Sequence, residues 1–218
     1  KRDYTTGGWL THLVCQLKNR PLGSSIDYVH LYDYRVIKAI THDPMKKFWQ
    51  EVLLLPYRSN SQDNPLHEKQ VMALLDKFGY KYVWQPNGSQ KSPDFRVTLE
   101  SGKTVDIECK SSKQHYPTYN GGLPKEGVVY IFSSKKYNET TIFFADDVVS
   151  SKKRKLFVAL EEELNSLLKI HQLDEDWQDD SRGFDYYIRN MYVQSGKGKK
   201  DYFKHPERST CESNVLNH

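Results

Sequence analysis

From Ser92 to Lys110 apolar and polar residues alternate on either side of a Glu100-Ser101-Gly102 break, the pattern of two strands joined by a tight turn. If Glu100 and Ser101 form a type I turn and Gly102 takes the left-handed position of a bulge, Leu99 pairs with Lys103. Paired residue numbers then sum to 202. That register sets Phe95 opposite Ile107 and Val97 opposite Val105 on one face, apolar pairs suited to a core. On the other face Thr98 meets Thr104, Arg96 meets Asp106, and Asp94 meets Glu108. Only the last pair is unfavourable. Two carboxylates directly opposite, with Cβ atoms about 4.5–5.5 Å apart, repel each other unless positive charge lies between them.

A divalent cation removes that conflict. Hard oxygen ligands at about 2.0–2.1 Å suit magnesium, which commonly takes one or two protein carboxylates and completes its shell with water and phosphate oxygen. Lys110, two residues beyond Glu108, projects from the same strand face. A lysine beside metal-bound water orients it and stabilises the charge that builds on a phosphate in the transition state, which makes the constellation a centre for phosphodiester hydrolysis. Cys109 points to the opposite, apolar face as a core residue, while its carbonyl remains within reach of a metal. Of the 28 acids, Glu108 alone has a lysine two residues on, and Pro93-Asp94 is the sole Pro-Asp dipeptide.

Pro93-Asp94, thirteen intervening residues, then Glu108-Cys109-Lys110 resembles the PD-(D/E)xK nuclease superfamily. The length of 218 residues is similar to that of its type II restriction endonucleases, and the resemblance covers residues 64 to about 147. It implies an α/β (α+β) fold with a restriction-endonuclease-like core, a central mixed β-sheet flanked by helices. It further implies that Asp94 and Glu108 bind Mg2+, for which Mn2+ can substitute, that Lys110 assists the attacking water, and that double-stranded DNA is cut at a specific sequence. The family core often carries a Glu on the helix before the first core strand, a place that Glu68 matches, three residues before Val71 on the inward stripe. An acid in a first helical turn also simply favours the helix dipole, so both readings of Glu68 stand. Cutting both strands calls for a homodimer or for sequential nicking by a monomer. A junction or repair nuclease of the same fold is the nearest alternative, and an inactive DNA-binding module the next.

Around this hairpin the pattern is helix, strands, helix. Residues 1–63 read as a largely helical N-terminal subregion, 64–182 as the nuclease core and 183–218 as a Tyr- and Lys-rich extension, together one compact domain. Met45 to Leu55 has helical spacing. Asn64 and Pro65 open a second helix, with Val71, Leu74, Leu75 and Phe78 on one face and Gly79 at its stop. Strands are expected at Lys81–Gln85, Asp94–Glu100, Thr104–Ser112, Val128–Ser134 and Thr140–Ala145, in a sheet that is mixed or antiparallel in its first half. A helix from Lys152 to His171 aligns Leu156, Phe157, Leu160, Leu164, Leu167 and Leu168. The tail aromatics are expected to pack.

The net charge is +4, yet Glu161 to Asp180 holds eight acids and one base, so that segment sums to −7 and the remainder to +11. Candidate DNA contacts lie in the basic remainder. Tyr116 to Pro124, with Tyr119, Asn120 and the flanking Lys113 and Lys125, suits a groove-reaching loop, although it also serves as a plain turn. Lys152, Lys153 and Arg154 open a helix where positive charge opposes the dipole, which suits an external phosphate and equally a solvated helix end. Lys197, Lys199 and Lys200, among glycines, suit a mobile phosphate clamp, although a disordered surface loop has the same pattern. Cys15, Cys109 and Cys211 form no CxxC pair, which fits a reducing, cytoplasmic setting. Apolar runs of about five residues fall far short of the roughly 20 needed for a membrane span. No glycine-rich phosphate loop is present, so no nucleotide cofactor is expected.

Overall fold

The computed structural model describes residues 44–58, 65–89, 91–178, 182–194 and 201–218. The chain separates into two units, Lys1–Asp43 and Pro44–His218, and every described residue belongs to the second. Most of the expected N-terminal subregion, the Asn64 cap, Cys15, and Lys197, Lys199 and Lys200 lie outside the described residues.

Helix α1 (Pro44–Leu53) buries Phe48, Trp49 and Val52, and α2 (Pro65–Lys77) buries Val71 and Leu75, all in one cluster. The boundary expected near residue 63 therefore does not separate two packing units. Gly79, at φ +72, takes the left-handed turn that ends α2. Strands β1 (Lys81–Trp84), β2 (Phe95–Thr98) and β3 (Thr104–Ser112) run antiparallel. The four pairs of β2 and β3, Phe95 with Ile107 through Thr98 with Thr104, keep the register read from the sequence. Gly102, at φ +80, donates its N–H to the Leu99 carbonyl at 2.9 Å, and the Leu99 N–H donates to Lys103 at 2.8 Å, as the bulged turn requires.

After β3 the chain forms the short β4 (Thr118–Asn120) and then β5 (Val129–Ser134), which lies parallel to β3, followed by β6 (Glu139–Phe144) antiparallel to β5. The main sheet is thus mixed, in the order β1-β2-β3-β5-β6, with helices against it: the fold is α/β. Every residue of β5 is buried, as a central strand covered on both faces demands. Phe95, Val97, Ile107, Cys109, Val129, Ile131 and Ile142 face α1 and α2. Tyr130, Phe132 and Phe143 pack on the other face with Tyr119, Tyr202 and Phe203.

The remaining elements are α3 (Ala145–Val148), α4 (Ser151–His171), α5 (Glu175–Gln178), β7 (Met191–Val193), a 3-10 turn (Tyr202–Lys204) and α6 (Arg208–Leu216). β7 pairs with β4, making a strand of a segment expected to be a loop. Its partner lies some seventy residues away, which local pattern cannot announce. α6 sends Val215 to one core cluster and Cys211 to the other, so the C-terminal extension is also part of the core. Ser150 caps α4 by accepting the Lys153 N–H.

Two expectations need correction. The apolar stripe of α4 enters no core: none of the helix's residues is buried, and Leu156, Leu160, Leu164 and Leu167 are exposed. The helix docks instead through Arg154 and through Phe157, whose ring lies 5.1 Å from that of Tyr192. In the tail, Tyr192, Tyr202 and Phe203 pack, whereas Phe184, Tyr186 and Tyr187 face solvent. Among the described residues no helix is long and apolar enough to cross a membrane.

Candidate active site

The site arises from a mismatch in strand length. β3 has nine residues and β2 only four, and their ladder ends at Phe95 and Ile107, one pair before Asp94 and Glu108. Past that point β2 does not take the Cys109 N–H. The Asp94 carboxylate turns in and accepts it at Oδ2, 2.7 Å away. Since the N–H and C=O of a strand residue point to the same side, the Cys109 carbonyl faces this gap too. The Cys109 side chain lies in the core as expected, and burial first, then Asp94, raise its thiol well above the ordinary range.

Glu108 and Lys110 share the opposite sheet face with Tyr130 and Phe132, their neighbours on β5. Glu108 is 6 % exposed; its Oε1 accepts from Lys110 Nζ at 2.6 Å, while its Oε2 is buried with no hydrogen-bond partner among the described residues. Glu68, on α2, is also buried and accepts from Trp84 Nε1 at 2.9 Å. Asp94 feels all of these groups. Its pKa is pushed up to about 7, chiefly by burial and next by the Glu108 charge; Glu68 adds to the rise, while the Cys109 N–H and Lys110 oppose it. Three carboxyl groups thus act on one another around the Lys110 ammonium.

A divalent cation fits this donor set. Asp94 and Glu108 supply carboxylates, the Glu108 Oε2 has no hydrogen-bond partner among the described residues, and the carbonyl of Cys109, next after Glu108, faces the same gap. Among the described residues no group of three or more His, Cys, Asp or Glu side chains is arranged to hold a metal by itself. Two carboxylates, a backbone oxygen and waters are a set that magnesium accepts.

A cavity of about 440 Å³ opens over Glu108 and Lys110, and the walls include Lys91, Ser92, Tyr119, Asn120, Lys125 and Tyr130. Three of the residues singled out in the sequence as DNA contacts, Tyr119, Asn120 and Lys125, therefore stand at the site. Lys125 Nζ donates to the Ser92 carbonyl at 3.1 Å and its N–H to the Tyr130 hydroxyl at 2.9 Å, which ties this wall to the segment before Asp94. Lys113 is exposed just past the end of β3, and Lys152 and Lys153 are exposed at the start of α4. Arg154 is placed differently. Its guanidinium faces inward, donating to the Pro124 carbonyl and pairing with Glu126 at 3.1 Å and Asp146 at 3.6 Å, so it braces the cavity wall.

Sequence reasoning missed Tyr130, Trp84 and Lys91. Lys91 precedes Pro93-Asp94 so closely that its neighbourhood with the site was available from the chain. Tyr130 reaches the site through the parallel pairing of β3 with β5, and Trp84 through its hydrogen bond to Glu68 on α2. Neither relationship leaves a local signal. No family model, curated protein or solved structure matches this chain.

Proposed function

We propose that this chain is a magnesium-dependent endonuclease with a restriction-endonuclease-like core, cleaving phosphodiester bonds in double-stranded DNA at a defined sequence. The observation that carries the reading is the meeting of Asp94, Glu108 and Lys110 at the end of the β2–β3 ladder, with one buried carboxylate oxygen of Glu108 left unpartnered beneath an open cavity. A divalent ion at Asp94 and Glu108 supplies Lewis acidity toward a phosphate oxygen and lowers the pKa of a bound water. Lys110, held against Glu108, orients the attacking water and offsets the charge that develops on the phosphate. The water oxygen forms the new bond to phosphorus, the bond to the leaving sugar oxygen breaks, and a proton ends on that oxygen. Asn120, Lys91 and Lys125 line the approach, where lysines suit the phosphate backbone and an asparagine suits an adenine edge.

The test is incubation of the purified chain with plasmid and genomic DNA, with and without Mg2+. Discrete fragments that require the metal support the reading, and mapping their ends supplies the recognition sequence. Cleavage confined to branched or damaged DNA would move the assignment to a junction or repair nuclease. Absence of any cleavage across diverse DNA would overturn the enzymatic reading.

A further inference from the structure

The longest helix among the described residues turns an apolar stripe outward. On α4, Leu156, Leu160, Leu164, Leu167 and Ile170 are 64 %, 47 %, 40 %, 53 % and 65 % exposed. At 3.6 residues per turn they fall within an arc of about 120° along roughly 21 Å of helix. A different line of the helix faces the protein: Arg154 in its ion pairs, Phe157 against Tyr192, and Glu161 accepting from the Tyr192 hydroxyl. An apolar face of this kind, interrupted by Glu163 alone between Leu156 and Ile170, marks a contact on a surface otherwise rich in charge.

What covers it is indicated by the charges at its two ends. Lys152 and Lys153, exposed, precede the stripe, and Asp174, Glu175 and Asp176, also exposed, follow it. Turned about a two-fold axis crossing α4 between Glu163 and Leu164, the stripe meets itself in antiparallel order. Leu160 then faces Leu167 of a second copy, and Lys152 and Lys153 face that copy's acidic end. An isologous contact needs a surface that matches its own inverted image, and the sequence basic, apolar, acidic has that property. Glu163 falls inside the same arc beside the axis and is set against its own copy.

We propose that α4 is the two-fold, antiparallel interface of a homodimer of this chain. The inference rests on the exposed face and its charge order, independently of the nuclease reading. It is tested by sedimentation velocity on the full chain across a concentration series. A dimer is expected, weakened at least about tenfold by Leu160→Glu combined with Leu164→Glu, with circular dichroism reporting that the helix is kept. Should that pair of changes unfold the chain, the charged ends provide the second test. Lys152→Glu with Lys153→Glu weakens the dimer, Asp174→Lys with Glu175→Lys does the same, and mixing the two variants restores association as a heterodimer. Glu163→Gln relieves the like-charge meeting and tightens the dimer. A wild-type chain that is monomeric throughout, a dimer indifferent to the leucine changes in a folded variant, or swapped ends that fail to recover association when mixed would each overturn the proposal.

Discussion

Asp94 accepts the Cys109 N–H at 2.7 Å, and through that one bond a carboxylate is held beside the neighbouring Glu108 where β2 has already ended. The bond stabilises the ionised form, yet burial and the Glu108 charge outweigh it, and the net result is a carboxyl that titrates at about 7.

Asp94→Asn tests this balance without DNA. Between the ordinary value of 3.8 and about 7, the folded chain keeps a proton that the unfolded chain releases, so folding stability falls as pH rises through that window. The neutral amide escapes that loss. At pH 8 the variant should be more stable than wild type by about 2 kcal/mol, and the gain should shrink toward pH 4. Thermal melts at closely spaced pH values are the measurement.

Magnesium should reverse the same penalty. Added Mg2+ is expected to raise the melting temperature of the wild type at pH 8, where both carboxylates are free to bind, and to do little near pH 5, where Asp94 holds its proton. Glu108→Gln should abolish the increase at either pH. A rise that survives the Gln substitution would place the ion elsewhere.

Lys110→Ala should lower the cleavage rate by about 10²- to 10⁴-fold, the range for loss of one catalytic group, while DNA affinity changes little. The ammonium also offsets the buried Glu108 charge at 2.6 Å. The Ala variant should therefore depend more steeply on Mg2+ for stability than wild type does. Filter binding in Ca2+ and single-turnover cleavage in Mg2+ separate the two effects.

Trp84→Phe removes the indole N–H that Glu68 accepts at 2.9 Å and should cost about 1–3 kcal/mol, since a buried carboxylate oxygen loses its donor. Glu68→Gln keeps an acceptor for that N–H and removes one of the charges that raise Asp94. The midpoint of Asp94, followed by carbon-detected NMR titration, should move down in the Gln variant.

How much of this was legible in the sequence follows from the range of each interaction. The hairpin register could be read because a three-residue turn with glycine at the left-handed position fixes every later pair, and Arg96 duly meets Asp106 at 2.7 and 2.8 Å. Asp94, Glu108, Cys109 and Lys110 share that hairpin, so their neighbourhood was local information. Glu68 reached the site because helical spacing set it on the same side as Val71. The parallel partner of β3, the pairing of β4 with β7 and the inward turn of Arg154 all depend on residues far along the chain. Periodicity carries no record of them. The α4 stripe shows the opposite failure: its spacing was read correctly, but amphipathicity states that a face needs covering and not what covers it.

Arg154 gives the cavity a property beyond its shape. One guanidinium in the first turn of α4 holds the Pro124 carbonyl, Glu126 and Asp146, so the start of that helix is fastened to the segment that leads into Lys125.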